Sequence, residues 1–426
     1  IMMMKLGKIW GCMWPVSGRS LQYLNHPFPL ASRRLFSGML TPFDDDLSAA
    51  DDEMFGLEDF KHYQESPEVE KARLLHDQEL LGPDSGAFSL PELVGARVPS
   101  IFVSKLNDPY INLAIEQYIY SHLPIYGKNG AEVYPRLLFY TNSPCLVIGK
   151  NHNPWKEVNL PLLNLLHLPL LRRNSGGGTV VHDLGNVNFS YMTSKKNFDR
   201  FTFAQIVSSA VNLLGKTQLT VNERGDVVTA EDGLKVSGSA YKISRGKSYH
   251  HGTMLLSLRL DVLGQLLAKN ESKRGVVDAL ASVASVPSKV TNVGLENEEF
   301  IAVVGQHFEP NSSPLKTVIN KETELPSEVI EEAKRLKSWD WQYGATQKFT
   351  HILTHETGVV VKFEVGKQAV VEKVHVDAKP ETKEKFEYLV EAAEKGQLQY
   401  TGSNDAGFVL DDCLSEWLGE SIDGTS

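Results

Sequence analysis

Three consecutive glycines, Gly176-Gly177-Gly178, follow Arg172-Arg173-Asn174-Ser175 and precede the β-prone run Thr179-Val180-Val181. Inside a helix or strand each glycine costs about 0.5–1 kcal/mol relative to alanine, so the triplet defines a loop. Such a backbone approaches a ligand closely and offers N–H groups with no side chain in the way. The two arginines before it add fixed positive charge suited to a carboxylate or phosphate. Taken alone, the loop reads equally as a flexible hairpin. It is not a P-loop, because no Gly-Lys-Ser/Thr closes it. Nor is it a dinucleotide fingerprint, which needs spaced glycines between a strand and a helix.

The segments around this loop mix short strands with helices. Residues 99–104 read as a strand, Asn107-Asp108-Pro109-Tyr110 as a turn and helix start, and residues 112–123 carry a helical apolar stripe. Residues 136–140 and 145–148 read as strands turned by Asn142-Ser143-Pro144. The same strand–turn–strand pattern puts residues 168–173 and 179–183 on either side of the glycine loop. Residues 203–214 read as an amphipathic helix. Mixed hairpins and helices without regular βαβ alternation give an α+β class. Turn signals at residues 311–314 and 325–327 are followed by an expected helix over 327–336. Strands over 358–363 and 368–376 and a helix over 382–394 then form a small second α+β domain.

The N-terminus has a different character. No acidic residue precedes Asp44, whereas Lys5, Lys8, Arg19, Arg33 and Arg34 are basic and Ser17, Ser20, Ser32 and Ser37 are interspersed. That is the composition of a mitochondrial transit peptide, and Arg34-Leu35-Phe36-Ser37 resembles a matrix-protease site cut after Phe36. Residues 1–36 are therefore expected to direct the chain to the mitochondrial matrix. Asp44-Asp45-Asp46 and Asp51-Asp52-Glu53 make residues 37–97 an acidic, largely disordered linker, with a helix expected over 69–81 and the folded body beginning near Val98. The net charge of -10 argues against an extended nucleic-acid footprint. No run of about eighteen apolar residues suggests a membrane span. Cys12, Cys145 and Cys413 are too scattered for a disulfide framework or a zinc site.

Arg172 through Asn186, reading Arg-Arg-Asn-Ser-Gly-Gly-Gly-Thr-Val-Val-His-Asp-Leu-Gly-Asn, resembles the signature of the lipoate–protein ligase A family. Further blocks agree in order. They are Ile148-Gly149-Lys150-Asn151-His152-Asn153-Pro154-Trp155-Lys156-Glu157, Lys235-Val236-Ser237-Gly238-Ser239-Ala240-Tyr241, His250-His251-Gly252-Thr253-Met254-Leu255, Ser288-Lys289-Val290-Thr291-Asn292 and Ser338-Trp339-Asp340-Trp341. The resemblance covers residues 100–345 well and the last part of the chain weakly. It implies a mixed-sheet catalytic domain of the biotin/lipoate ligase type over residues 98–325, for acyl-adenylate formation and transfer. A linker and small α+β accessory domain would occupy 326–426.

The resemblance also implies a two-step reaction. Lipoate and ATP, with Mg2+, give lipoyl-AMP and pyrophosphate. A lysine of a lipoyl carrier domain, in a 2-oxoacid dehydrogenase E2 subunit or the glycine-cleavage H protein, then attacks the acyl carbonyl. Both steps need positive charge at the carboxylate and α-phosphate, and neither needs an enzyme nucleophile. Lys235 matches the family's essential lysine. Arg172 or Arg173 would position the acyl or phosphate group, and Ser175, Gly176, Gly177 and Gly178 would wrap the acyl-adenylate. His182 would line the lipoyl pocket, with Asn186 on the following turn. Asp226 would orient the lysine or meet magnesium through phosphate, although Arg224-Gly225 departs from the more usual Arg-Asn. Gly238, Ser239 and Ala240 would permit close approach of the ligand, and Thr253 would contact the adenylate. Adjacent strand residues face opposite sides, so of His250 and His251 only one, His251, is expected at the site. Leu138, Tyr140 and Val180 suit either an apolar tunnel or the core.

A second activity fits the same residues: a lipoyl or octanoyl amidotransferase that uses a preformed donor and does not adenylate free lipoate. No cysteine lies between Cys145 and Cys413, which weakens a cysteine thioester version. Retention of Lys235 and the glycine loop argues against a non-catalytic carrier-binding protein. Nothing in the sequence separates lipoate from octanoate.

Overall fold

Asp108 sets the first boundary of the folded body. Its carboxylate accepts from Tyr110 N and Ile111 N, and Pro109 takes the first helical position, where its missing N–H is no loss. The computed structural model describes residues 88–126, 132–267, 271–279 and 281–425. The expected transit peptide (1–36), residues 37–87 of the expected linker and the helix expected over 69–81 lie outside the described residues. The described residues fall within one compact unit, residues 42–426.

Numbered along the chain, the strands are β1 (Ser100–Ser104), β2 (Arg136–Tyr140), β3 (Cys145–Ile148), β4 (Leu170–Arg172), β5 (Val180–His182), β6 (Asn186–Ser194), β7 (Leu219–Val221), β8 (Val227–Thr229), β9 (Lys235–Ser244), β10 (Lys247–Leu255), β11 (Val276–Asp278), β12 (Leu315–Ile319), β13 (Phe349–Thr354), β14 (Val360–Val365) and β15 (Val371–Asp377). They form an eight-stranded sheet in the order β12-β1-β2-β6-β10-β9-β8-β7, a three-stranded sheet β4-β3-β5 and a four-stranded sheet β11-β13-β14-β15. In the large sheet β1 runs parallel to β12 and β2, and the remaining pairs are antiparallel. The class is α+β with a mixed sheet, as the sequence pattern indicates.

The helices that matter to the site are α1 (Leu90–Gly95), α2 (Pro109–His122), α3 (Thr202–Asn212), α4 (Asn297–His307) and α5 (Ser327–Lys337). One face of the large sheet packs Phe139, Val187, Phe189 and Met254 on Phe203 and Val207 of α3 and on Phe300 and Val304 of α4. Each large apolar side chain buried in this way contributes about 1.5–3 kcal/mol. The other face packs Leu138, Tyr140, Met192 and Tyr249 against α2, α5 and Cys145, Val147 and Leu171 of the small sheet. The opposite side of the small sheet, with Leu146, Ile148, Leu170 and Val181, shares a core with Phe349, Phe363 and Tyr400 of the C-terminal α+β portion. The small sheet is thus the middle layer. α1, which precedes Val98, buries Leu90, Leu93 and Val94, and the Arg136 guanidinium donates to Val94 O and Val98 O.

Two expected hairpins take another form. β4 and β5 do not pair with each other. Both flank β3, β4 in parallel and β5 antiparallel, so the glycine loop crosses the end of β3. The turn at residues 142–144 likewise carries the chain from the large sheet to the small one. Strand-forming segments reveal their pleat but not their partners, which long-range packing selects. The helix expected over 382–394 divides into Pro380–Lys383 and Glu387–Glu394 around a 3-10 turn. Among the described residues no helix is long and apolar enough to cross a membrane.

Candidate active site

Lys235 opens β9 at an irregularity. Val227 pairs with Ser237 but Val228 pairs with Lys235, so Val236 is an extra residue and the strand bulges. Bulges re-aim side chains and end regular pairing. Past this one the Lys235 backbone turns to the 289–291 segment, with Lys235 N donating to Lys289 O at 2.9 Å and Thr291 N to Lys235 O at 3.0 Å. Its ammonium sits 2.9 Å from Asp226 Oδ1. Asp226 is presented by a tight turn in which Asn222 Oδ1 accepts from Arg224 N and Asp226 N. Gly225 has φ +83° there, a conformation that strains residues with a Cβ. The Lys235 side chain is 22% and the Asp226 side chain 10% exposed, so the pair is mostly buried and fixes the ammonium in place.

A Cβ at Gly238 would lie 3.5 Å from Thr253 Oγ1, 3.8 Å from Val180 Cγ1 and 4.0 Å from Lys235 Cε. These four residues are therefore neighbours along the seam, or slot, where the large sheet meets Val180 of the small one. The glycine loop lies alongside it. Gly177, at φ +87°, faces Ala240, and a Cβ there would come within 3.0 Å of the Ala240 Cβ. Gly149 packs against Gly177 O, and Lys150 N donates to Ser175 O at 2.8 Å. Gly149 and Gly177 thus admit no larger residue, whereas Gly176 has open space around it.

The expected ligand contact by Arg172 is corrected. Its guanidinium is fully buried and all its N–H groups are engaged. Nε donates to Trp341 O and Gln342 O, Nη1 to Lys150 O and His152 O, and Nη2 to Gln342 O and Thr346 Oγ1. Arg173 turns back on the loop itself. Nε meets Ser175 Oγ and Gly176 O, Nη2 meets Gly176 O and Gly178 O at 2.6 Å each, and Nη1 meets Val147 O. Burial lowers the pKa of each to about 10, which leaves both charged at neutral pH. Arg173 gathers the loop carbonyls of Gly176 and Gly178, while Arg172 is engaged outside the loop.

His251 faces this loop. Its Nε2 lies 2.7 Å from Ser175 Oγ and its Nδ1 2.9 Å from Glu116 Oε1 of α2. His250 faces the other side, against Phe189, Phe203 and Tyr241, with Nε2 2.9 Å from Ser239 Oγ. Ser239 therefore lies away from the slot, which corrects its expected ligand contact. The two-residue period that puts Gly238 and Ala240 inside excludes the residue between them. Asn186 is also turned to structural use, accepting from Asp183 N and donating to Asn188 Oδ1. Three residues outside the expected set shape the site: Glu116, Asn142 and Ser285. Glu116 stood as an acid inside a buried apolar stripe, a position that demands a partner. Ser285 Oγ accepts from Thr179 N at 3.0 Å beside Gly178, a contact with no local signal.

His182 is buried beside Arg173 and His251, and burial first, then those charges, lowers its pKa to about 3. Burial is also the leading cause that takes His250 to about 3 and His351 to about 4. All three are neutral in the fold, whereas unfolded histidine takes a proton near pH 6.5. Their contribution is complete above that pH and is lost as the pH falls towards 3–4. Between about pH 6 and 4 each should remove roughly 1 kcal/mol of stability per pH unit. Urea midpoints at pH 7 and pH 5 check this, and equal midpoints would contradict it.

Among the described residues no three His, Cys, Asp or Glu side chains group as metal ligands. Asp226 already faces Lys235 and, at 3.9 Å, Arg224.

The bulge-aimed lysine and the glycine loop thus meet where two sheets of one mixed α+β architecture pack together. Residues 108–309 match the lipoyl protein ligase A/B catalytic domain. The chain is 36% identical over 345 residues to a Saccharomyces cerevisiae protein provisionally named lipoate-protein ligase A, covering 78% of this chain and 82% of that one. A Schizosaccharomyces pombe protein of the same provisional name is 35% identical over 300 residues, 64% of this chain and 79% of its own. The human mitochondrial lipoyl amidotransferase is 35% identical over 277 residues, 62% and 71% respectively. This chain belongs to the lipoate–protein ligase and lipoyltransferase family and is an enzyme of that kind.

Proposed function

We propose that the protein activates lipoate with ATP to lipoyl-AMP and transfers the lipoyl group to a carrier-domain lysine of E2 subunits or H protein. The observation that carries this reading is the Lys235 ammonium, fixed by Asp226 at the mouth of the slot bordered by Gly238, Thr253 and Val180. A lipoyl chain in the slot brings its carboxylate to Lys235. The ammonium then offsets charge on the carboxylate and α-phosphate as the carboxylate oxygen attacks phosphorus and pyrophosphate leaves. Magnesium bound to the nucleotide would neutralise the remaining phosphate charge. In the second step Lys235 stabilises the charge that builds on the acyl oxygen as the carrier amine adds and AMP departs. Thr253 and the glycine-loop backbone supply hydrogen bonds to the adenylate, with His182 along the lipoyl chain. A mitochondrial-matrix location is part of this proposal, supported by the N-terminal composition and by the human mitochondrial relative.

A second reading is favoured by the likeness to a lipoyl amidotransferase at nearly the same identity as to the yeast proteins. Lipoate-driven ATP–pyrophosphate exchange separates the two, and exchange is expected. No exchange, with transfer still seen from synthetic lipoyl-AMP or a lipoylated H protein, would sink adenylation and leave the amidotransferase.

A further inference from the structure

β11 comes from the segment just before Lys289 and Thr291, yet it pairs antiparallel with β13 and forms the edge of the C-terminal sheet. Two features fix it there. A Cβ at Gly275 would collide with Ile352 O, so glycine, at φ +69°, lets the two backbones approach. His351, buried on β13, bridges the pairing: its Nε2 lies 2.5 Å from Arg274 O and its Nδ1 2.6 Å from Tyr400 Oη. A carbonyl only accepts, so Nε2 carries the proton and Nδ1 accepts from the tyrosine hydroxyl.

Beyond β11 the chain runs as a strap to the site. Ala279 O accepts from Ser282 N at 3.0 Å and from Ser282 Oγ at 2.9 Å. Val283 N donates to Asn151 O at 3.2 Å and Ser285 N to Glu157 Oε2 at 3.2 Å. Ser285 Oγ accepts from Thr179 N at the exit of the glycine loop, and Thr179 Oγ1 lies 2.9 Å from His152 Nδ1. The strap ends beside Lys235, which bridges Val290 in parallel between its bonds to Lys289 and Thr291. Because the bulge interrupts the regular pairing of β9 with β8, the strap supplies the backbone bonds of Lys235. The run from Arg274 to Thr291 therefore holds the C-terminal sheet at one end and both the glycine loop and Lys235 at the other.

We infer that Ser285 and His351 are positioning residues for the reaction: Ser285 sets the exit of the glycine loop against Lys235, and His351 holds the strap that carries Ser285. This deepens the lipoyl reading of the site and rests on it. Both act through backbone groups, Thr179 N and Arg274 O. Displacing a reacting group by an ångström costs up to about a hundredfold in rate, so such residues act on kcat before they act on binding.

The test follows lipoyl transfer from synthetic lipoyl-AMP to an apo H protein by the full chain, with amide exchange of the strap read by mass spectrometry. Ser285→Ala is expected to lower kcat about ten- to a hundredfold while KM for lipoyl-AMP changes less than about threefold. Ser285→Thr keeps the hydroxyl and should restore most of the rate. His351→Leu should lower kcat at least about threefold and quicken amide exchange over residues 282–291. Val277→Gly weakens the same pairing on the edge strand without removing a buried hydrogen bond, so it reads the far end of the strap if His351→Leu does not fold. An unchanged kcat in Ser285→Ala, or strap exchange that neither His351→Leu nor Val277→Gly alters, overturns the inference and leaves the lipoyl site standing. No transfer by the unaltered protein, from lipoyl-AMP or from a lipoylated H protein, overturns the lipoyl reading and the inference with it.

Discussion

Lys235→Ala is expected to lower lipoate-driven pyrophosphate exchange by at least about a hundred- to a thousandfold, the range seen when one preorganised charge-stabilising donor is removed. Neither arginine of the glycine-loop motif replaces its charge. Arg172 is wholly engaged with Trp341, Gln342, Thr346 and the Lys150–His152 turn, and Arg173 with its own loop. The fold should survive. The Lys235 side chain is 22% exposed, and the Asp226 carboxylate it leaves behind keeps solvent contact and Arg224 at 3.9 Å. Asp226 is largely buried, so losing its partner costs some stability, and the fall in unfolding midpoint should be modest beside the loss of exchange. Exchange and thermal unfolding are measured on the same preparation. Normal exchange would refute the role assigned to Lys235, and a large drop in midpoint would show that the loss of activity is only loss of structure.

Arg172→Met should act in the opposite way, on stability before chemistry. The guanidinium bridges the Lys150–His152 turn of the catalytic body to the Trp341–Thr346 segment, and Trp341 Nε1 returns a bond of 2.6 Å to Arg172 O. Hydrogen bonds from a charged donor contribute about 1.5–3 kcal/mol each, though not additively. Methionine fills much of the volume but leaves buried carbonyl oxygens without donors, so a loss of about 3 kcal/mol or more is expected. Urea unfolding reads it directly. An unchanged midpoint together with a raised KM for lipoate or ATP would restore Arg172 to the ligand, where the sequence motif alone had suggested it.

These two residues show where reading from the sequence succeeds and stops. Lys235 and Asp226 come together across nine positions because one short strand and a tight turn lie between them, local structure that the turn residues announce. Arg172 bonds to residues about 170 positions away, and no local pattern records that. Glu116, an acid on a buried helix face, went unread in the sequence, and its partner His251 lies 135 residues further on. Alternation along β9 and β10 separated His251 from His250 correctly in geometry. Applied consistently it also removes Ser239, which the motif had carried along with its neighbours.

By itself the sequence determined that the glycines form a loop, that the chain is α+β, and that Lys235 belongs with that loop in a lipoyl-family signature. Local backbone preference and strand alternation are written into neighbouring residues, so they need no fold to be read. Only the tertiary structure decided that the loop crosses β3 instead of closing a hairpin, and that its two arginines brace the protein. It also decided that β11 joins the C-terminal sheet. Those outcomes depend on which distant groups remain to satisfy a buried charge or amide once the sheets have packed, and that is settled by the whole fold.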